Sequence, residues 1–135
     1  MGREKLVNEG IEEKIQTAYK SSNTYPELVK NLIGVGILSY TVDVPSSNIL
    51  YRLSGGETVL HRGKITARNV AQDFNSEMTV AAIRDSQQGK ISYPQFMDAI
   101  AAAGVRFYEA TLHGNKKRVT YIGIGGEYEE LISIN

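Results

Sequence analysis

One repeat in the sequence constrains the fold more than any other feature. The segment TYPELVKNLIGVGILSY, residues 24–40, returns 68 positions later as SYPQFMDAIAAAGVRFY, residues 92–108. In both copies a Tyr-Pro pair precedes an apolar run, and a glycine and then a tyrosine follow it. Further on, the second copy has two extra residues, and a displacement of 70 aligns Tyr51 with Tyr121. Two copies of this length predict a pseudo-symmetric structure in which each half covers the apolar face of the other.

Each copy begins with the signals of a capped helix. Thr24 and Ser92 each precede a Glu or Gln by three residues, which is the spacing of a capping box. The proline in the first turn lacks an N–H that would be unpaired there in any case. Gly36 and Gly104 follow the apolar runs, where a left-handed residue ends a helix. Another helix is predicted before each Tyr-Pro helix, and Ser76 is its expected N-cap in the second copy.

After each glycine the apolar period changes to two, which is typical of a half-buried strand. In the first copy the residues predicted to share a face are Leu38, Tyr40, Val42 and Val44. Turn residues then separate two more strands. We therefore predict an α+β fold: two tandem helix-helix-three-strand repeats, approximately residues 11–61 and 76–134, that form a pseudo-symmetric two-layer domain with an antiparallel sheet. Residues 1–135 are expected to form this single domain.

Composition narrows the classes of function. The 135-residue chain has 15 Lys and Arg against 15 Asp and Glu, and a net charge of zero argues against a broad phosphate-binding face. There is no cysteine, so the chain has neither a disulfide nor a thiolate metal ligand. No segment has the apolar run of a signal peptide or of a membrane span. We expect a cytoplasmic protein with no membrane partner.

Two stretches suggest chemistry that their residues do not support. RDSQQGKISYPQF has the glycine of a calcium-binding EF-hand loop, but Arg84 and Gln95 stand where ligating carboxylates are needed. GIGGEY, from Gly123, lacks the helix and the later acidic residue of a dinucleotide site, so a hairpin turn is favoured. His61 and His113 are the only histidines, and neither belongs to a metal-binding or catalytic pattern. We predict no metal, no cofactor and no catalytic residues.

The densest basic run, GNKKRV at residues 114–119, raises the alternative of nucleic-acid binding. Together with Arg62, Lys64 and Arg68 it forms a candidate patch. A solvated hairpin tip is favoured over this alternative, because charged edges also deter aggregation between strands.

The tyrosines and the predicted open face of the sheet supply the candidate binding residues. Tyrosines occupy matched positions of the two copies at Tyr40, Tyr51, Tyr108 and Tyr121. Packing is favoured there over an aromatic-lined pocket, since a tyrosine ring is largely apolar. The open face is predicted to carry Asp43, Arg52 and His61, mixed with Leu50 and Val59. The selected candidates for ligand or partner binding are Tyr40, Asp43, Arg52, His61 and Tyr108.

The second half, QQGKISYPQFMDAIAAAGVRFYEATL into VTYIGIGGEYEEL, resembles the YdfO-like family of small uncharacterised bacterial proteins. The resemblance extends to LIGVGILSYTVDV and YRLSGGE in the first half. Some members of that family are encoded in prophages, and some carry the label "phage envelope protein". The resemblance implies a two-layer α+β fold and supplies no catalytic residues. This chain lacks the cysteines that some relatives place in the second Tyr-Pro helix.

Three functions remain open at this point. The favoured one is a non-enzymatic binding or interaction module, with a homodimer as its candidate assembly, because the sequence has no catalytic constellation. The second is a small-molecule sensor or enzyme with a tyrosine-lined pocket between the repeats. The third is a prophage accessory protein that binds nucleic acid through the basic run.

Overall fold

The structure, a computed structural model, describes residues 2–63 and 67–133, with side chains from residue 10 onward. The elements of the first half are α1 (Gly2–Lys20), α2 (Tyr25–Val35), β1 (Ile37–Asp43), β2 (Ile49–Leu53) and β3 (Thr58–His61). Those of the second half are α3 (Ser76–Gln87), α4 (Tyr93–Ala102), β4 (Val105–Thr111), β5 (Arg118–Gly123) and β6 (Gly126–Leu131). The predicted α+β fold, with its helix-helix-strand unit repeated twice, is confirmed.

The six strands form one antiparallel sheet whose order is symmetric about its centre. That order is β3-β2-β1-β4-β5-β6, and the two halves meet where β1 pairs with β4. At this junction Val42 lies opposite Tyr108, and Tyr40 lies opposite Ala110. The helices pack on one face, with α2 over β1, α4 over β4, and α1 and α3 against the edge strands β3 and β6. The result is a two-layer structure with an approximate twofold axis between β1 and β4.

The core lies between the helices and the sheet. Its most deeply buried side chains come from α2, α4 and the strands beneath them: Val29, Leu32, Val42, Val44, Met97, Ile100, Val105 and Leu112. On α2 and α4 the buried residues recur at helical spacing, as the apolar runs predict. Burial of this apolar surface is the main favourable contribution to folding.

The helix caps follow the predictions with two differences. Thr24 accepts a hydrogen bond from the Glu27 amide at 3.3 Å, but the Glu27 carboxylate accepts from the Asn23 amide at 3.1 Å and not from Thr24. The capping box of α4, by contrast, is complete. The predicted N-cap of α3 was wrong by one residue: Asn75 is the cap, and its side-chain oxygen accepts from the Met78 amide at 2.9 Å. Asparagine caps a helix at least as well as serine, so local propensity did not separate Asn75 from Ser76.

A β-bulge occurs at the same place in both halves. The register shifts between Ile37 and Ser39 in β1, and between Val105 and Phe107 in β4. An extra residue at a bulge changes which side chains face the core. The prediction that Leu38 shares the buried face of its strand was therefore wrong: Leu38 is 38% exposed, whereas Ile37 is 2% exposed.

The segment that joins the two halves is docked on them through Arg68. The Arg68 amide donates to the Pro45 carbonyl at 2.7 Å, and its guanidinium donates to the Val44 carbonyl and to Asp98 Oδ1, both at 2.8 Å. Its side chain is only 8% exposed. Arg68 is therefore a structural contact rather than part of an exposed basic patch. Lys64, from the same predicted patch, lies outside the described residues.

Replacement of Gly104 by alanine is expected to lower the free energy of unfolding by about 2–5 kcal/mol. Gly104 has a φ of +84°, and an added Cβ would lie 2.2 Å from the Asp73 carbonyl oxygen. Both the left-handed backbone and the clash with another backbone atom oppose the side chain. Urea denaturation of the purified variant measures the effect.

Gly34→Ala is the matched control, because Gly34 lies in α2 and an added Cβ would meet no atom within 4 Å. Alanine is the better helix former, so this variant should gain about 0.5–1 kcal/mol. Equal effects of the two substitutions would contradict the assigned backbone conformation at Gly104.

Candidate functional site

Tyrosine hydroxyls meet in pairs between the helices and the central strands. The hydroxyl oxygens of Tyr25 and Tyr40 are 2.7 Å apart, and those of Tyr93 and Tyr108 are 3.1 Å apart. In each pair the first tyrosine begins the second helix of its half and the other lies on a central strand. A buried phenol needs a hydrogen-bond partner, and here each pair supplies its own. The repeated pairs mean that Tyr40 and Tyr108 have a structural role.

Burial dominates the acid–base behaviour of these tyrosines. It raises the pKa above the ordinary value of 10.0 for Tyr19, Tyr25, Tyr40, Tyr51, Tyr93, Tyr108 and Tyr121. The cause is the removal of water from around a group that would carry a negative charge. Tyr128 differs, because its hydrogen bond to Glu130 is the largest cause that raises its pKa. All eight phenols are therefore neutral near pH 7.

A cleft with a volume of about 340 Å³ opens between α1 and the strands β2 and β3 of the first half. Its lining comprises Glu12, Ile15, Gln16, Tyr19, Lys20, Ile49, Tyr51, Val59 and His61. We call it the α1 cleft. Ile15, Tyr51 and Val59 are buried and form an apolar floor, whereas the polar residues of α1 lie at the rim. The hydroxyls of Tyr19 and Tyr51 are 2.9 Å apart, so a hydrogen bond joins the helix to the sheet here.

Strand register identifies the residues that take the place of this lining in the second half. Tyr51 pairs with Val59 across β2 and β3, and its matched residue Tyr121 pairs with Tyr128 across β5 and β6. Tyr128 therefore occupies the position of Val59. A large phenol ring stands in the second half where the first half has a small aliphatic side chain.

The two halves also differ in charge at the next position of the edge strand whose side chain faces the helices. Ile49 pairs with His61 in the first half, and Val119 pairs with Glu130 in the second, so Glu130 occupies the position of His61. On the helices, the buried residues Ile15 and Ile83 correspond, each 4% exposed. The following residue is glutamine in α1 and arginine in α3.

In the second half these changes bring four side chains of α3 and β6 into contact. The Arg84 guanidinium forms two hydrogen bonds with the Glu130 carboxylate, at 2.5 Å and 3.2 Å. Tyr128 donates to Glu130 Oε1 at 2.6 Å, and Gln87 donates to Oε2 at 3.1 Å. The hydrogen bonds from Arg84 hold the pKa of Glu130 below its usual range. We call this set of four residues the Arg84 cluster.

Of the five predicted site residues, His61 alone lines the α1 cleft. Tyr40 and Tyr108 are buried, at 3% and 6% exposure, and pair with tyrosines of α2 and α4. Asp43 stabilises the turn after β1, where its Oδ2 accepts from the Ser46 amide at 3.2 Å.

Arg52 lies on the open face of the sheet, away from the cleft. Its guanidinium donates to Thr41 Oγ1 at 2.8 Å and lies 3.5 Å from Glu109 Oε1. Val59 and His61 were predicted on this same face, but they point toward α1. The reason is the pairing of β3 with β2, which sets Leu60 and not its neighbours on the open face beside Leu50.

Sequence reasoning missed the residues that α1 contributes to the cleft. Glu12, Gln16 and Lys20 are spaced four apart, so they form one polar stripe beside the buried Ile15. That spacing was visible in the sequence. Which surface the stripe borders depends on how α1 packs against β3.

The cations of the basic run at the β4–β5 hairpin contact neighbouring polar groups. Lys116 and Arg118 form ion pairs with Glu129 at 2.7 Å and 3.4 Å. The Lys117 ammonium donates to the Gly114 carbonyl at 2.8 Å. The Glu129 carboxylate offsets one of these three positive charges, so the run keeps a local positive charge in a chain whose net charge is zero.

In the part of the chain that the structure describes, no three His, Asp or Glu side chains lie close enough together to hold a metal ion. Across the same residues, no helix is both long and apolar enough to span a membrane. What the α1 cleft offers is an apolar floor beside hydrogen-bonding side chains, and this combination suits recognition of a small organic molecule.

Comparison with known proteins yields one family. The sequence profile described as "Protein of unknown function (DUF1398)" matches residues 13–128. The chain belongs to this family. The match begins in α1 and ends in β6, so it spans both halves and every residue that lines the α1 cleft except Glu12. None of the curated proteins matches the chain.

Alkaline conditions are expected to unfold the protein as its buried tyrosines are forced to ionise. In the folded state the pKa of Tyr40 and of Tyr108 lies well above 10.0, whereas in the unfolded chain it returns to about 10. Above about pH 10 the unfolded state therefore binds fewer protons, and stability falls by up to about 1.4 kcal/mol per pH unit for each such tyrosine. Urea denaturation across this pH range, with phenolate absorbance recorded in parallel, measures the effect.

The double variant Tyr40→Phe, Tyr108→Phe should show a shallower fall of stability with pH, since two of the ionising groups are gone. Phenolate absorbance should rise together with the disappearance of secondary structure. Complete ionisation near pH 10 in a protein that remains folded would contradict the buried hydroxyl pairs.

Proposed function

We propose that this protein is a non-enzymatic module that binds a small molecule in the α1 cleft. The observation that supports the proposal is the contrast between the two halves. The same helix–sheet scaffold occurs twice: in one copy the Arg84 cluster joins the first helix to the edge strand, and in the other a cleft of about 340 Å³ lies between these elements. The two halves thus share an arrangement of helices and strands but differ in the side chains between the first helix and the edge strand.

The size and lining of the α1 cleft agree with this role. Ligand pockets have volumes of about 300–1,000 Å³, so the cleft is suited to a compact ligand. The floor formed by Ile15, Tyr51 and Val59 gains about 25 cal/mol for each Å² of apolar ligand surface that it removes from water. Binding then requires no chemical step, only burial and a few directed hydrogen bonds.

The polar rim is available to a ligand. Among the described residues, the side chains of Glu12, Gln16, Lys20 and His61 form no hydrogen bond or ion pair with one another or with their neighbours. In the second half, by contrast, Arg84 and Glu130 satisfy each other. A ligand that reaches the rim therefore meets polar groups that no described side chain already occupies.

The open face of the sheet supports the narrower proposal of self-association. It combines the polar contacts of Arg52 with two cross-strand apolar pairs, Leu50 with Leu60 and Phe107 with Ile122. A homodimer through this face stays a prediction, and its test is the molar mass in solution by light scattering. A monomer at all accessible concentrations would remove it.

Three further interpretations rest on the sequence: the YdfO-like relationship, its association with prophages, and a cytoplasmic location. We carry them forward as proposals only. Binding of nucleic acid is not favoured, because the chain has a net charge of zero and Arg68 of the candidate patch is held in structural contacts.

Closing the α1 cleft with the side chains of the other half should abolish ligand binding. The variant Gln16→Arg, Val59→Tyr, His61→Glu introduces the arginine, tyrosine and glutamate of the Arg84 cluster at the matched positions of the first half. We expect phenol, used as a probe, to shift the amide NMR resonances of cleft residues in the natural protein and not in this variant. The expected dissociation constant for so small a ligand is about 1 mM.

Thr58→Tyr is the matched control, because it adds the same ring on β3 one residue away, on the open face beside Arg52. It should leave phenol binding unchanged. If phenol and other single-ring compounds fail to shift any resonance of the cleft in the natural protein, the proposed function is wrong. Equal shifts in the closed variant would show that the probe binds elsewhere.

A further inference from the structure

The Arg84 cluster shows which chemical groups this scaffold holds between its first helix and its edge strand. In the second half the strand itself supplies a phenol ring, from Tyr128, and a carboxylate, from Glu130. The matched residues of the first half are Val59 and His61. The first half therefore lacks, at these positions, both the ring and the carboxylate of the second half.

We infer that the α1 cleft binds a small aromatic carboxylate, whose ring lies over Val59 and whose carboxylate contacts Lys20 and His61. The ligand would supply the two groups that the second half supplies from its own strand. This inference rests on the proposed function, since it names the ligand class of the same cleft.

The hydrogen-bonding character of the rim favours an acceptor. Lys20 can only donate, Gln16 donates through its amide, and His61 donates through at least one ring nitrogen. Tyr19 and Tyr51 share one hydrogen bond, which leaves one of their two hydroxyl protons free to donate. A carboxylate accepts several such bonds at once, as Glu130 does in the second half from Arg84, Gln87 and Tyr128.

The rim carries one carboxylate and one ammonium, which are separated along α1. Its titratable groups are Glu12, Lys20 and His61, together with the neutral phenols of Tyr19 and Tyr51. Glu12 lies two helical turns from Lys20. An anionic head group therefore fits beside Lys20 and away from Glu12, where the ammonium donates a charge-assisted hydrogen bond.

The lining and volume of the cleft limit the size of the apolar part of the ligand. Val59 and Ile15 are each 4% exposed, so most of the apolar surface that a ring can reach in the cleft belongs to Tyr19, which is 40% exposed, and to the half-buried Ile49. A volume of about 340 Å³ accepts a single ring with a short substituent and is too small for a nucleotide. Planar stacking and edge contacts with tyrosine favour an aromatic ring over a saturated one.

The test compares four probes of matched size by NMR titration of the full chain. These are 4-hydroxybenzoate, its neutral analogue 4-hydroxybenzamide, the cationic 4-hydroxybenzylamine, and the saturated cyclohexanecarboxylate. We expect 4-hydroxybenzoate to bind at the α1 cleft with a dissociation constant of about 0.1–1 mM. It should bind about tenfold tighter than each of the other three, because each of those lacks either the carboxylate or the aromatic ring.

A charge-removing variant locates the carboxylate. Lys20→Met keeps the apolar stem and removes the ammonium, so the preference for 4-hydroxybenzoate over 4-hydroxybenzamide should fall to about twofold or less. Lys14→Met is the matched control on the same helix, because Lys14 is exposed and does not line the cleft. It should leave the preference unchanged. Both sites are on the surface of α1, so neither variant is expected to unfold the protein.

The outcomes distinguish an error in the inferred ligand class from an error in the proposed binding function. Tightest binding by 4-hydroxybenzylamine or by cyclohexanecarboxylate at the cleft overturns the aromatic-carboxylate inference and leaves the proposed binding function standing. A carboxylate preference that survives Lys20→Met, or that falls equally in Lys14→Met, also overturns the inference. Absence of shifts at the cleft with all four probes overturns both.

Discussion

The antiparallel pairing of β1 with β4 is the contact on which the rest of the structure depends. It joins two three-stranded meanders into one sheet, and it sets the two pairs of helices side by side on the same face. A half of about 60 residues would by itself bury only a modest fraction of its surface and so would be marginally stable. The central pairing solves this, because β1 and β4 are covered by α2 and α4 and become the most deeply buried strands.

The same pairing explains the tyrosine pattern. With Tyr40 and Tyr108 on adjacent central strands and both under the helices, their hydroxyls have no access to bulk water. The Tyr-Pro motif that begins α2 and α4 brings a second hydroxyl to each of them. The repeated tyrosines therefore have a structural role in both halves. Two neutral phenols satisfy each other at low cost, whereas an unpaired buried hydroxyl would be strongly destabilising.

The two halves differ most at their outer edges, where the first helix meets the edge strand. Packed protein interiors tolerate few voids, since atoms beside an empty space have no neighbours to attract them by dispersion. The second half has the Arg84 cluster at this place, and the first half has the α1 cleft beside the Tyr19–Tyr51 hydrogen bond. The two copies can differ at these edges because the pairing of the central strands does not depend on them.

The sequence by itself determined the elements and their duplication, because helix caps, terminal glycines and strand alternation are local signals: Thr24, Gly36, Ser92 and Gly104 act where the pattern placed them. It did not determine which side chains share a surface. The bulge after Ile37 and the pairing of β3 with β2 decide which side chains face the helices. Leu38 therefore faces solvent, and His61 faces α1. The cleft is likewise a tertiary outcome, because it depends on the distance between a helix and a strand that are far apart in the chain, and on whether the side chains between them fill that space.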